Sequence, residues 1–395
     1  MGSSMQVVWD DVMLGYDFGR GHPMNPIRLE LTAALVREFG LFEHPSVELV
    51  QPVLADDALL EMVHKRRYIE AVKTAASDPT NLFDLDHGLG TPDVPVFHDM
   101  HNASARVAGS TVALAEAVWG GSVEHAVNFG GGLHHAMPDA ASGFCVYNDV
   151  ALAIAKLLDR GAKRIAYVDV DVHHGDGTQE TFYNDPRVMT ISLHESGRTL
   201  FPGTGWPDEV GGPGAEGRSV NVALPAGTDG DAWLRAFGAV VPPLVRSFQP
   251  DVMVTQHGCD SHALDPLAHL MLSVDAQRAS YEALHALSHE VCGGKWVAAG
   301  GGGYALVDVV PRAWTHLVAI AAGADIAPDT RVPEEWRTFV RERTGGAVAP
   351  LKMTDGYSPS VPASWDGGRG DAVDRAIRET RDAIFPLHGL DPKAP

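Results

Sequence analysis

Tyr167-Val168-Asp169-Val170-Asp171-Val172-His173 alternates without a break. Read as a β-strand, it sends three valines to one face and Asp169, Asp171 and His173 to the other. Three polar groups aligned inside a buried sheet are costly unless something pairs them. A divalent metal is one such partner, and hydrogen bonding at a strand end is another. A calcium loop is excluded, although Asp169, Asp171 and Glu180 fall at its first, third and twelfth positions. Its sixth position is His174 rather than Gly, and a strand rather than a helix precedes it.

Working outward, short apolar runs at 123–129, 164–172, 188–193, 219–224, 251–257 and 296–299 read as strands. Between them, 148–158, 232–248 and 274–292 read as helices. Continuous apolar strands separated by helices predict an α/β fold, a three-layer α/β/α arrangement around a mostly parallel sheet. The N-terminal third is helical at 26–39, 57–75 and 102–118, with Pro26 suited to a helix start and Gly40 to a stop. Gly, Pro and Ser enrich 345–371, which predicts an irregular segment before a last helix at 373–384. The expected organisation is one catalytic domain over 1–325 with an extension over 326–395, packed on it or trailing it. There is no internal repeat.

Ligands of open α/β sheets gather beyond the carboxyl ends of the strands. A second such end, Val252-Met253-Val254-Thr255-Gln256-His257-Gly258-Cys259-Asp260, places Asp260 just past a glycine turn. Two carboxylates and one imidazole make three protein ligands, which leaves room for water and a substrate oxygen, as hydrolytic metals require. Two aspartates neutralise a dication, so its water is less acidified and a separate general base is expected. Gly130-Gly131-Gly132-Leu133-His134-His135 follows the strand at 123–129. Adjacent loop histidines are commonly surface residues, but Asp169 and Asp176 remain free to orient one each. The third end is Gly300-Gly301-Gly302-Gly303-Tyr304. It lacks the GxGxxG spacing of a nucleotide loop, so it suits either a core tyrosine or a phenol aimed at an oxyanion.

Composition narrows the partners. With 51 Asp and Glu against 30 Lys and Arg, the formal charge of −21 argues against nucleic acid and suits cationic or neutral substrates. Three cysteines without a CxxC pair suit a reducing cytoplasm. No basic segment followed by an apolar run opens the chain, and no apolar run approaches the ~20 residues of a membrane span, so no membrane role is expected.

Six motifs in order resemble those of the histone deacetylase superfamily of arginase-like α/β hydrolases, over nearly the whole chain. They are Gly21-His22-Pro23-Met24, His134-His135-Ala136, Ser142-Gly143-Phe144-Cys145, the run from Asp169 to Gly177, Phe201-Pro202-Gly203-Thr204-Gly205 and Gly301-Gly302-Gly303-Tyr304. The compact single-domain chain looks closest to the class I enzymes and the bacterial acetoin-utilisation (AcuC-type) branch, and the segments from Gly15 to Arg28 and from Gln256 to Pro266 look especially like that bacterial branch.

The resemblance implies Asp171, His173 and Asp260 as metal ligands, with Zn²⁺ or Fe²⁺ both acceptable to two carboxylates and a histidine. It implies His135 as general base toward water and then acid toward the lysine amine, with His134 as an electrostatic partner. Asp169 and Asp176 would orient His134 and His135, and Tyr304 would polarise the acetyl carbonyl. Gly143, Phe144 and Phe201 would line a tunnel for the lysine methylenes, and Asp93 would bind substrate backbone amides at its rim. Arg28 would lie on an internal cavity through which acetate leaves. A monovalent cation, K⁺, would use Asp169, Asp171, His173, Ser192 and main-chain oxygen at Leu193. A second such site is less expected, because Arg218 stands where class I members carry an aromatic residue.

The function implied is zinc-dependent hydrolysis of Nε-acetyl-lysine in an acetylated protein or peptide, acetyl-CoA synthetase being the substrate the AcuC-type resemblance suggests. Acetylpolyamine amidohydrolase or a broader acyl-lysine deacylase shares the metal motif, but no long entrance-narrowing loop is evident and Asp93 favours peptides. A non-catalytic acyl-lysine binding protein is the alternative outside enzymology, and the intact ligands, histidines and Tyr304 weigh against it.

Overall fold

Eight strands form one parallel sheet in the computed structural model, which describes residues 4–77, 84–324, 326–362, 365, 367–368 and 370–394. They are β1 (Met5–Val8), β2 (Val47–Val50), β3 (His125–Asn128), β4 (Ile165–Asp169), β5 (Val188–Glu195), β6 (Ser219–Leu224), β7 (Val252–Gln256) and β8 (Trp296–Ala299). Their order across the sheet is β2-β1-β3-β8-β7-β4-β5-β6. The main helices are α1 (Ile27–Glu38), α2 (Asp57–Leu60), α3 (Arg66–Ser77), α4 (Met100–Trp119), α5 (Asp149–Asp159), α6 (Asp176–Phe182), α7 (Gly230–Phe248), α8 (Val274–Cys292), α9 (Val310–Ala322), α10 (Glu334–Arg343) and α11 (Ala372–Ile384). One face is covered by α4, α5 and α6, the other by α7, α8, α9 and α11. Every residue of β3, β4, β5, β7 and β8 is buried, which is why these strands read as largely apolar runs.

The α/β architecture agrees with the sequence; the helices α6, α9 and α10 were not anticipated, and three further details differ. The strands β1 and β2 were not anticipated: each has only four residues, and β2 is a half-exposed edge, so neither writes a long apolar pattern. The helix expected over 57–75 is two helices. Between them His64 turns inward, contacting the Met137 carbonyl through Nδ1 at 3.1 Å and accepting from the Asn148 amide at 3.0 Å.

The third correction concerns the alternating run itself, because β4 stops at Asp169. The Asp169 carboxylate accepts from the Asp171 amide (3.1 Å) and the Asp171 carboxylate from the His173 amide (2.9 Å). These local side-chain bonds compete with the ladder and curl the chain off the sheet. Asp171 and His173 therefore sit on the loop after β4, not on its face.

The tail is bonded to the sheet and helices. Trp336 of α10 donates to the Leu31 carbonyl at 2.8 Å, and Arg381 of α11 donates to that of Ala239 at 2.8 Å. The division expected at 325/326 falls on Asp325, outside the described residues. Asp355 anchors the intervening segment, accepting from the Arg312 guanidinium (2.9 Å) and the Val274 amide (2.8 Å) and contacting His262 Nε2 (3.0 Å). Burial alone would raise its pKa, but the His262 hydrogen bond and the Arg312 charge hold it well below the usual carboxylate range. Its contribution to stability is present above the unfolded value of about 4 and is lost as pH falls beneath it. Asp355→Ala is expected to cost about 2 kcal/mol at pH 7 in urea denaturation, and a cost near zero would show that the anchor is dispensable.

Candidate active site

The four central strands stop in a row. Asn128 pairs with Ala299, Ala299 with Gln256, and Gln256 with Asp169 across β3, β8, β7 and β4. The loops leaving this row carry the two histidines, Tyr304, Asp260, and Asp171 with His173. Sequence-distant groups thus meet because their strands are neighbours in the sheet.

Asp171, His173 and Asp260 offer ligand atoms that all lie within 4.8 Å of one another. His173 Nδ1 is 3.1 Å from Asp171 Oδ1 and 3.1 Å from Asp260 Oδ2. The three residues are 1%, 9% and 0% exposed, so water cannot screen them. Burial, then the Asp171 charge, push Asp260 up to about 6. Burial would lower His173, yet the two carboxylates draw it well above its ordinary value. Two buried anions facing one imidazole need positive charge between them, and an oxygen-and-nitrogen donor set of this size fits a dication. The chain thus carries a group able to bind a metal.

Main-chain and side-chain donors hold these carboxylates in place. Asp171 Oδ2 accepts from the Gln256 side chain (2.8 Å) and the Gly302 amide (2.9 Å), and Asp260 Oδ1 from the Val172 amide (3.0 Å). A Cβ on Gly302 would overlap the Asp260 carboxylate, so only glycine allows this approach.

His134 Nδ1 lies 2.7 Å from Asp169 Oδ2, and His135 Nδ1 lies 2.6 Å from Asp176 Oδ1. The two rings are 4.1 Å apart, so their environments rather than their positions separate them. Burial would lower His134, but the charges of Asp169 and Asp171 raise it to about 9. For His135, burial and the positive charge of His134 outweigh Asp176 and lower it. At neutral pH His134 is charged and His135 is not.

Four supporting residues were not singled out in the sequence. Asp149 accepts from the Gly132 and Leu133 amides (3.0 and 2.7 Å) and so shapes the histidine loop. Tyr167 donates to Asp169 Oδ2 at 2.6 Å; its place on the carboxylate side of the alternation was the available signal. Gln256 orients Asp171, and Asp265 accepts from the Tyr304 amide at 2.8 Å. Burial, then Asp260, push Asp265 up to about 7.

Arg28 donates from Nη1 to the Gly301 (2.9 Å) and Gly303 (3.1 Å) carbonyls, gripping the loop that carries Tyr304. Burial and the Asp260 charge push the Tyr304 phenol well above its ordinary value, so it stays a proton donor. A narrow cavity runs between Met24, His135, Gly143, His173, Gly302 and Tyr304. Phe144 lies 5.6 Å from the Tyr304 ring and Phe201 5.0 Å from that of His135, both measured between ring centres. Phe144 holds a left-handed backbone at φ 65°, a conformation that costs energy for a bulky residue. Its carbonyl accepts from Tyr16 at 2.8 Å. Asp93, half-buried, accepts from the Gly143 amide at 2.8 Å. On β5, Ser192 pairs with Asp169 and its hydroxyl is 2.8 Å from His194 Nδ1, while Leu193 is fully buried. Among the described residues, no helix is long and apolar enough to cross a membrane.

Residues 22–321 match the family described as histone deacetylase domain. The acetoin utilization protein AcuC of Bacillus subtilis (strain 168) is 42% identical over 322 residues, covering 81% of this chain and 82% of that one. That of Staphylococcus xylosus is 37% identical over 84% of this chain and 86% of its own length. A crystal structure of the HDA15 HD domain superposes with a TM-score of 0.72 at 30% identity, covering 82% of this chain and 91% of that one. A match of this extent, together with the row of loops at the strand ends, leaves one conclusion: the chain belongs to the histone deacetylase family of deacetylase hydrolases.

Proposed function

We propose that the chain hydrolyses the Nε-acetyl amide of lysine side chains in proteins or peptides, with Zn²⁺ held by Asp171, His173 and Asp260. The observation that carries this reading is the pair of touching histidines, each held by its own carboxylate, beside a metal-type donor set and a phenol. When bound, the ion would polarise the acyl carbonyl and acidify water. Neutral His135, fixed through Nδ1 by Asp176, takes the proton from the attacking water and returns it to the departing lysine amine. Charged His134 places a positive charge beside the developing oxyanion, and the Tyr304 hydroxyl donates to it. Phe144 and Phe201 flank the lysine methylenes, and Asp93 receives substrate backbone amides. Acetyl-CoA synthetase is the protein substrate to test first.

Chelation is expected to abolish release of acetate from an acetyl-lysine peptide, and added Zn²⁺ to restore it. Turnover of acetyl-lysine peptide is expected to exceed that of acetylputrescine. Undiminished hydrolysis by metal-free protein would overturn the metal assignment, and preference for the polyamine would overturn the substrate.

A further inference from the structure

At the opposite end of the sheet, three histidines converge. His125 opens β3, while His285 and His289 lie one turn apart near the end of α8. Their Nε2 atoms are mutually 3.0, 3.2 and 3.1 Å apart. Each Nε2 carries either a proton or a lone pair, so at least two of the three must be alike. Two like nitrogens at that distance repel, and no choice of tautomers makes all three contacts hydrogen bonds. A cation accepting three lone pairs removes the conflict. Tetrahedral coordination at ~2.05 Å sets ligand nitrogens about 3.3 Å apart, close to what is observed.

We propose that His125, His285 and His289 form a second metal site, for a divalent transition ion of the Zn²⁺ class, separate from the candidate active site. Three neutral imidazoles with no carboxylate select such an ion over Mg²⁺ or Ca²⁺. The surroundings fix the rings. Trp296, at the start of β8, lies 5.7 Å from His125 and 5.5 Å from His285 between ring centres. Gly294 lies so close that a Cβ there would press on His289 at 2.9 Å. His125 is fully buried and His289 exposed, so the ion has a protein-facing side and a solvent-facing side where water completes its shell. Bound there, the ion ties the last turn of α8 to the central strand β3, two elements 160 residues apart in the chain.

The test uses untagged full-length protein, loaded with Zn²⁺, freed of excess by gel filtration and assayed for zinc per chain. Wild type is expected to retain about one zinc more than His289→Ala, whose exposed side chain can be lost without disturbing the core. Zinc affinity at this site is expected to fall by more than about 100-fold in that variant. X-ray absorption at the zinc edge of wild type supplies a check independent of any variant. A second, three-imidazole site raises the average to about two imidazoles per zinc, against about one for the Asp171–His173–Asp260 group alone. Equal zinc in wild type and His289→Ala, or an average near one imidazole, overturns the proposal.

Discussion

Tyr304→Phe is expected to lower kcat on an acetyl-lysine peptide by about 10²–10³-fold, with KM and unfolding midpoint nearly unchanged. The substitution removes one oxygen and little else. The aromatic ring keeps its edge contact with Phe144, and the backbone stays fixed by Asp265 and by Arg28 behind Gly301 and Gly303. The phenol is half-buried and held protonated, so it meets an oxyanion as a donor in surroundings where water competes poorly. A hydrogen bond that strengthens as charge builds on the oxygen raises kcat without tightening ground-state binding. A rise in KM at constant kcat would mean that the hydroxyl only binds substrate, and full activity would remove it from the chemistry.

Much of this was legible in the sequence because the site's demands are written as local anomalies. Carboxylates among valines, paired histidines after a glycine run, and a tyrosine closing another such run all break the apolar pattern. The strands β3 to β8 were legible for the converse reason, being buried at all but one position. What stayed hidden depends on the third dimension. Gln256 and Asp149 are single polar residues, and nothing local separates a group that orients a ligand from one that caps a helix; Asp149 opens α5. The end of β4 at Asp169 depends on whether an aspartate bonds the amide two residues on or the ladder does, and strict alternation is silent on that choice. The histidine triad was invisible because His125 meets His285 and His289 only through the pairing of β3 with β8 and the return of α8 across the sheet.

His135→Ala is the other change with a large expected effect, about 10²–10⁴-fold in kcat. The argument rests on how two touching imidazoles divide their charge. Both are buried, which disfavours the charged form of each, and each has a carboxylate on Nδ1. His134 has the greater negative surroundings, since Asp171 also lies 4.0 Å from its Nε2, and it takes the proton. Its charge then helps keep His135 neutral. A base must be unprotonated before it can act, so the lowered His135 is ready at pH 7, and the acidic limb of kcat/KM is expected below pH 6.5. Removing His134 should reverse one part of this order. His134→Ala loses a stabilising charge, lowers kcat less than His135→Ala, and leaves His135 facing Asp176 with less opposing positive charge. The acidic limb of that variant should therefore move to higher pH. Added imidazole is expected to restore part of the activity of His135→Ala, because what is missing there is a proton acceptor. If His134→Ala proves the more damaging of the two, or if its acidic limb moves to lower pH, the assignment of base and cation is the wrong way round.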